Sequence, residues 1–111
     1  MHQFQRWRAN IVKAKTRQEV VQVMREYIAC VLPSELLKLP QTSQAALADA
    51  AYDIAGAAVT LRRDELRFSG DEETAALMNE MTQTFTAASA RIAHLDSRPS
   101  MFIADSPQPA E

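Results

Sequence analysis

Cysteine and glycine are both scarce in this sequence, which has one cysteine, Cys30, and two glycines among 111 residues. A single cysteine excludes an intrachain disulfide and weakly favours a reducing compartment. Because Cys30 lies in the apolar run YIACVL, residues 27–32, we expect a buried, inert thiol and not a nucleophile. The near absence of glycine, together with abundant alanine, favours helix along the whole chain.

Long apolar runs are absent as well. No stretch of about 20 apolar residues occurs, which is the length that a membrane-spanning helix needs. The first fifteen residues, MHQFQRWRANIVKAK, lack the apolar middle of a secretory signal. These features predict a cytoplasmic protein without a membrane span.

The sequence also lacks the common motifs of catalysis and metal binding. It has no glycine-rich phosphate loop, no CxxC or HExxH pattern and no GxSxG elbow. The only histidines are His2 and His94, and we expect His94 on the polar face of its helix. We therefore predict a non-catalytic chain with no cofactor and no metal site.

The helical periodicity predicts an all-α fold, a small antiparallel bundle of about four helices, three long and one short and basic at the N-terminus. Thr16 and Glu19 have the spacing of a capping box, and Asp71 or Ser69 suits the cap of the last helix. The expected helices span residues 4–14, 17–32, about 43–68 and about 71–95. Residues 33–40, between two prolines, are expected to form one or two turns.

One domain is expected over residues 1–96. The tail, residues 97–111, has three prolines and no periodicity, so we predict that it is disordered.

The last helix has the clearest apolar face. The residues of this face are Leu77, Met81, Phe85, Ala88, Ile92 and Leu95. Three methionines at helical spacings are also expected in the core: Met24, Met78 and Met81.

The segment of residues 45–59, AALADAAYDIAGAAV, contains eight alanines among its fifteen residues and two aspartates that are four residues apart. Small residues on a broad arc let a second helix approach closely. We therefore predict that this segment lies in one long central helix, with Ala51 and Ala55 in close contact with a neighbour. Plain helix propensity is the competing explanation.

Charge is distributed unevenly between the two parts of the chain. Residues 1–18 hold five bases and no acid, whereas the remainder holds seven bases and fourteen acids. The basic segment could contact an anion such as nucleic acid, or dock on an acidic strip formed by Asp49, Asp53 and Asp64. The candidate anion contacts are Arg6, Arg8, Lys13 and Lys15.

The apolar arcs of two helices are broader than a core of this size requires, so some of that surface should be covered by a partner. This favours a protein-interaction module that binds a second copy of itself or another protein. Phe4, Trp7 and Ile11 are the candidate partner contacts, since aromatic anchors dominate interface energetics. The alternative function is a regulator that binds nucleic acid through the basic N-terminal segment.

Overall fold

The protein is all-helical. The computed structural model describes the backbone of residues 2–105 and the side chains of residues 6–30 and 36–97. Over residues 2–105 it contains five α-helices, one 3-10 turn and no strand, which confirms the all-α prediction. The elements are α1 (His2–Lys13), α2 (Arg17–Glu35), the 3-10 turn Leu36–Lys38, α3 (Gln41–Ala48), α4 (Ile54–Arg67) and α5 (Glu72–Asp105).

The fifth helix arises because the alanine-rich segment is divided in two. Instead of one long helix, α3 ends at Ala48 and the chain turns over residues 49–53. The amides of Tyr52 and Asp53 both donate to the carbonyl of Asp49, at 3.0 and 3.2 Å. The Asp53 carboxylate then accepts from the amide of Gly56 at 2.9 Å and caps α4. Aspartate favours such caps over helix interiors, and this preference outweighs the alanines.

The central helix is α5, so the prediction that the alanine-rich segment is central is wrong. α5 contacts α1, α2 and α4. Its predicted apolar face does enter the core, and Met24, Met78 and Met81 are buried there as predicted. Thr82 and Thr84 are buried on α5 as well, which shows that the helix is enclosed on more than one side.

Three aromatic rings join α1, α2 and α5. Tyr27 is fully buried, and its ring meets Trp7 edge-on at 5.9 Å and Phe85 at 6.1 Å. Such edge-to-face pairs add to the stabilisation that burial provides. Burial raises the pKa of Tyr27 well above its ordinary value, although a hydrogen bond with Thr84 acts in the opposite direction. The phenol therefore stays neutral throughout the physiological pH range.

Local caps fix where two of the helices start. The amide of Glu19 donates to the Thr16 hydroxyl at 3.1 Å, as the capping box requires. The Glu19 carboxylate accepts from the amide of Lys15 (3.0 Å) and not from that of Thr16, which would complete a capping box. Asp71 caps α5, and the hydrogen bond from the Thr74 amide lowers the pKa of Asp71. The stability that this cap contributes is therefore present above the unfolded-state pKa and is lost as the pH falls through the lowered pKa.

Helix directions follow from contacts between the helices. α1 runs parallel to α5, because Arg8 donates to Gln83 (2.5 Å) and, further along both helices, Arg91 donates twice to the Ala14 carbonyl (3.0 and 2.8 Å). α2 and α4 run antiparallel to α5. The start of α2 meets the late part of α5 through Arg17–Asp96 (3.0 Å), and the end of α4 meets its early part through Glu65–Asn79 (2.7 Å).

Two helices run further than the sequence predicted. α2 continues through Pro33 to Glu35. One or two turns are expected over residues 33–40, and of these the structure has the 3-10 turn Leu36–Lys38. α5 continues to Asp105, so residues 97–105 of the predicted tail have helical backbone, while residues 106–111 lie outside the described residues. Across the described backbone, none of the helices combines the length and hydropathy needed to cross a membrane.

The cap at Asp53 leads to a stability prediction. Replacing Asp53 with alanine removes the acceptor for the Gly56 amide, and we expect the free energy of unfolding to fall by about 1 kcal/mol. Asp53→Asn is the control, because asparagine caps helices as well as aspartate does, and it should unfold like the parent chain. Urea unfolding followed by circular dichroism measures both. Equal loss in the two variants would contradict a capping role.

Candidate interaction surface

The outward side of α4 is the part of the fold that differs most from the prediction. Ala55 is exposed and Ala51 is only half-buried, so the predicted close contact at these two alanines is wrong. The alanines that do enter the core are Ala50, Ala57 and Ala58. The turn over residues 49–53 resets the helical phase, and α4 then packs on α5 and α3 with only its other side.

Five exposed residues follow one another along this outward side with spacings of three, four, three and four. They are Tyr52, Ala55, Val59, Arg62 and Leu66, which we name the α4 outer seam. A 3-4 repeat places side chains in one line along a helix and is the spacing by which two helices pair in a coiled coil. Tyr52 lies just before the cap, and the other four lie within α4.

The large side chains of the seam are strongly exposed: Tyr52 by 82%, Val59 by 65% and Leu66 by 76%. Over the described side chains, only two other large apolar residues are exposed in this way, Val12 and Leu37, which lie on separate elements. Single exposed apolar residues need no explanation, but a row of them on one helix marks a surface that is suited to contact.

Opposite charges flank the two ends of the seam. Asp49 and Asp53 are exposed before the start of α4, and Arg63 and Arg67 are exposed near its end. With 100° per residue, Arg63 and Arg67 lie about 40° and 80° to one side of Val59. The outward side of α4 therefore carries apolar residues on both sides of Arg62, with acidic residues before its start and further basic residues near its end.

A small open cleft of about 230 Å³ adjoins the seam at Tyr52. Val21, Ile54 and Ile92 form its apolar lining, so α2, α4 and α5 all contribute to it. The Arg17–Asp96 ion pair also lines this cleft. The cleft is a recess of mixed polarity beside the end of the seam.

The basic N-terminal segment docks on this chain, but not on the acidic strip proposed for it. Arg8 meets Gln83 (2.5 Å) and Glu80 (3.4 Å), and both partners belong to α5. Arg17 likewise pairs with α5. Three further bases of the segment are exposed: Arg6, Lys13 and Lys15.

The strip itself does not exist as a surface, because its members have different surroundings. Asp64 is buried and accepts hydrogen bonds from the hydroxyls of Thr42 (2.5 Å) and Ser43 (2.7 Å). Those bonds hold the start of α3 against the end of α4. Asp53 serves as the α4 cap, and Asp49 lies in the turn before it.

The residues that we expected to contact a partner are occupied within the monomer. Ile11 is 0% exposed, and Trp7 is half-buried against Tyr27. The side chain of Phe4 lies outside the described residues. Ile11 is therefore a core residue of this chain, and Trp7 packs against the core and is only partly available to a partner.

Cys30 is the single cysteine, and His94 is the one histidine whose side chain lies in the described part. Cys30 is exposed, contrary to the prediction, and the buried side of α2 carries Val20, Met24 and Tyr27. His94 is exposed, as expected. Among the described side chains, no three His, Cys, Asp or Glu residues lie close enough together to hold a metal ion.

The burial of Asp64 can be tested by stability measurements. Replacing Asp64 with alanine leaves the buried Ser43 hydroxyl without its acceptor, and we expect the free energy of unfolding to fall by about 2–3 kcal/mol. Asp49→Ala, at an exposed turn position, should change it by no more than about 0.5 kcal/mol. Urea unfolding measures both variants. A loss at Asp64 no larger than that at Asp49 would mean that Asp64 is a solvated surface group.

No protein-family model, curated protein or solved structure matches this chain. Its function therefore has to be inferred from the arrangement of its own residues. The most distinctive arrangement on its surface is the α4 outer seam, with the charges at its ends and the recess at Tyr52.

Proposed function

We propose that this chain is a non-catalytic helical interaction module and that its partner, a second copy or another protein, binds the α4 outer seam. The observation that carries this proposal is the exposure of Val59 and Leu66 on the outward side of α4, together with that of Tyr52 in the turn just before it. An apolar face on a surface helix is a usual means of pairing with another helix or of entering an apolar groove. We also propose a cytoplasmic location, since a single exposed thiol suits a reducing compartment.

The energetics of contact favour the seam over other parts of the surface. Fully burying a large apolar side chain stabilises a complex by about 1.5–3 kcal/mol. Tyr52 adds an aromatic ring with a polar tip, a type of residue that is enriched among the contacts that dominate binding. Because α4 is held on its inner side by α5 and α3, the seam is presented on a rigid support and little order has to be gained on binding.

Binding of nucleic acid through the N-terminal segment receives less support. Arg8 and Arg17 face carboxylates of α5, at 3.4 and 3.0 Å, which offsets part of the positive charge of the segment. The exposed bases that remain, Arg6, Lys13 and Lys15, form a smaller patch on a chain with a net charge of −2. We therefore retain protein interaction as the proposed function.

The proposal can be tested by site-specific photocrosslinking in the native cells. A benzophenone amino acid is introduced at Val59 in one variant and at Val12 in another. Both valines lie on helices, and their exposed fractions match, at 65% and 64%. If a partner covers the seam, illumination should produce protein adducts several times more often at position 59 than at position 12.

The mass of the adduct identifies the class of partner. An adduct of twice the chain mass of 12.4 kDa indicates a second copy, and any other mass indicates a different protein. Equal or absent adduct formation at the two positions would show that no protein covers the seam, and the proposed function would then be wrong.

A further inference from the structure

We infer that the partner is a second copy of this chain, which pairs antiparallel with the first along α4 about a two-fold axis at Val59. This inference rests on the proposed function and specifies its partner. In such a pair the same surface serves both copies, so every contact occurs twice. The seam must therefore be complementary to itself when it is reversed end to end.

The order of apolar residues in the seam meets this requirement. Val59 lies at the middle of the seam. Leu66 lies seven residues, or two helical turns, after it, and Tyr52 lies seven residues before it, in the turn that precedes α4. Antiparallel pairing at Val59 therefore brings Tyr52 of each copy to the level of Leu66 of the other. Ala55, one turn from the axis, is small and allows the two backbones to approach closely.

The charges meet the same requirement. In the antiparallel arrangement, the acidic end with Asp49 and Asp53 lies beside the basic end of the other copy, which has Arg63 and Arg67. Parallel pairing would instead place acid beside acid and base beside base. Opposite charges at both ends thus favour one direction of pairing and disfavour the other.

The recess at Tyr52 receives an occupant in this arrangement. Leu66, which is 76% exposed in the monomer, reaches the level of Tyr52 on the second copy. The recess there, about 230 Å³ and lined by Ile54 and Ile92 beside the Arg17–Asp96 ion pair, lies at the same end of the seam. Two such insertions, related by symmetry, would bury both leucines.

The seam is short, so the association should depend on concentration. α4 has 14 residues and is about 21 Å long, which gives a contact smaller than a standard interface of about 800 Å² per partner. Contacts of that size fall among weak or transient complexes. The measurement therefore has to cover a wide range of protein concentrations.

The first experiment is sedimentation equilibrium of the full chain from about 10 μM to about 1 mM. The apparent mass should rise from 12.4 kDa towards twice that value. Val59→Glu places two carboxylates at the two-fold axis, and we expect it to weaken dimerisation by about 100-fold or more. Val12→Glu is the matched control at equal exposure and should dimerise like the parent chain.

The second experiment tests the direction of pairing with two charge variants. Arg63→Glu with Arg67→Glu makes both ends of the seam acidic. Asp49→Lys with Asp53→Asn makes one end basic while the asparagine retains the α4 cap. Each variant alone should be monomeric at concentrations at which the parent chain is dimeric. An equimolar mixture of the two should recover the dimer, because opposite charges again face each other.

Several outcomes would overturn the inference. A parent chain that stays at 12.4 kDa up to 1 mM rules out the second copy, while adducts of another protein at position 59 would leave the proposed function intact. A dimer that Val59→Glu does not weaken uses a different surface. Failure of the mixed charge variants to dimerise, while both remain folded by circular dichroism, rules out the antiparallel direction.

Discussion

The cap formed by Asp53 determines which side of α4 faces outward. Without the turn that it closes, the alanine-rich segment would continue as one helix, and the phase of residues 54–67 would follow from α3. With the cap in place, Ile54, Ala58 and Leu61 pack inward while Val59 and Leu66 face solvent. The hydrogen bond from the Gly56 amide to Asp53 marks the start of α4. The preference of aspartate for this cap position thus affects where the surface lies that we propose binds a partner.

The interior depends on α5 because α1, α2 and α4 all pack against this helix. The aromatic contacts of Tyr27 with Trp7 and Phe85 connect three of these helices at one place. The acidic and polar side chains of α5 also provide partners for the basic N-terminal segment, through Glu80 and Asp96. Packing and charge therefore act together to hold α1 and α2 against the same helix.

Much of the fold was accessible from local patterns in the sequence. Helix content, the Thr16 and Asp71 caps and the apolar face of α5 depend on neighbours within one or two turns, and these predictions agree with the structure. The division at residues 49–53 is harder to predict, because eight alanines favour a continuous helix and only the preference of aspartate for the N-cap position opposes them.

The candidate surface could not be found in the same way, because burial depends on which helices meet. Periodicity shows that a residue belongs to an apolar stripe, but not whether another helix covers that stripe. Ile11 and Trp7 are expected from the pattern to contact a partner, yet Ile11 is buried and Trp7 is half-buried against Tyr27, whereas Val59 is exposed. The 3-4 spacing of the seam was present in the sequence throughout, but its meaning depended on the packing of α5.

The two hydrogen bonds from Arg91 to the Ala14 carbonyl have a consequence for local unfolding of the chain. Ala14 lies directly between α1 and α2, and the guanidinium of Arg91 satisfies a carbonyl that the end of α1 would otherwise leave open. Detachment of the C-terminal end of α1 from α5 must therefore break two hydrogen bonds to the longest helix. The last turn of α1 should consequently exchange its amide hydrogens in the same cooperative unit as the middle of α5.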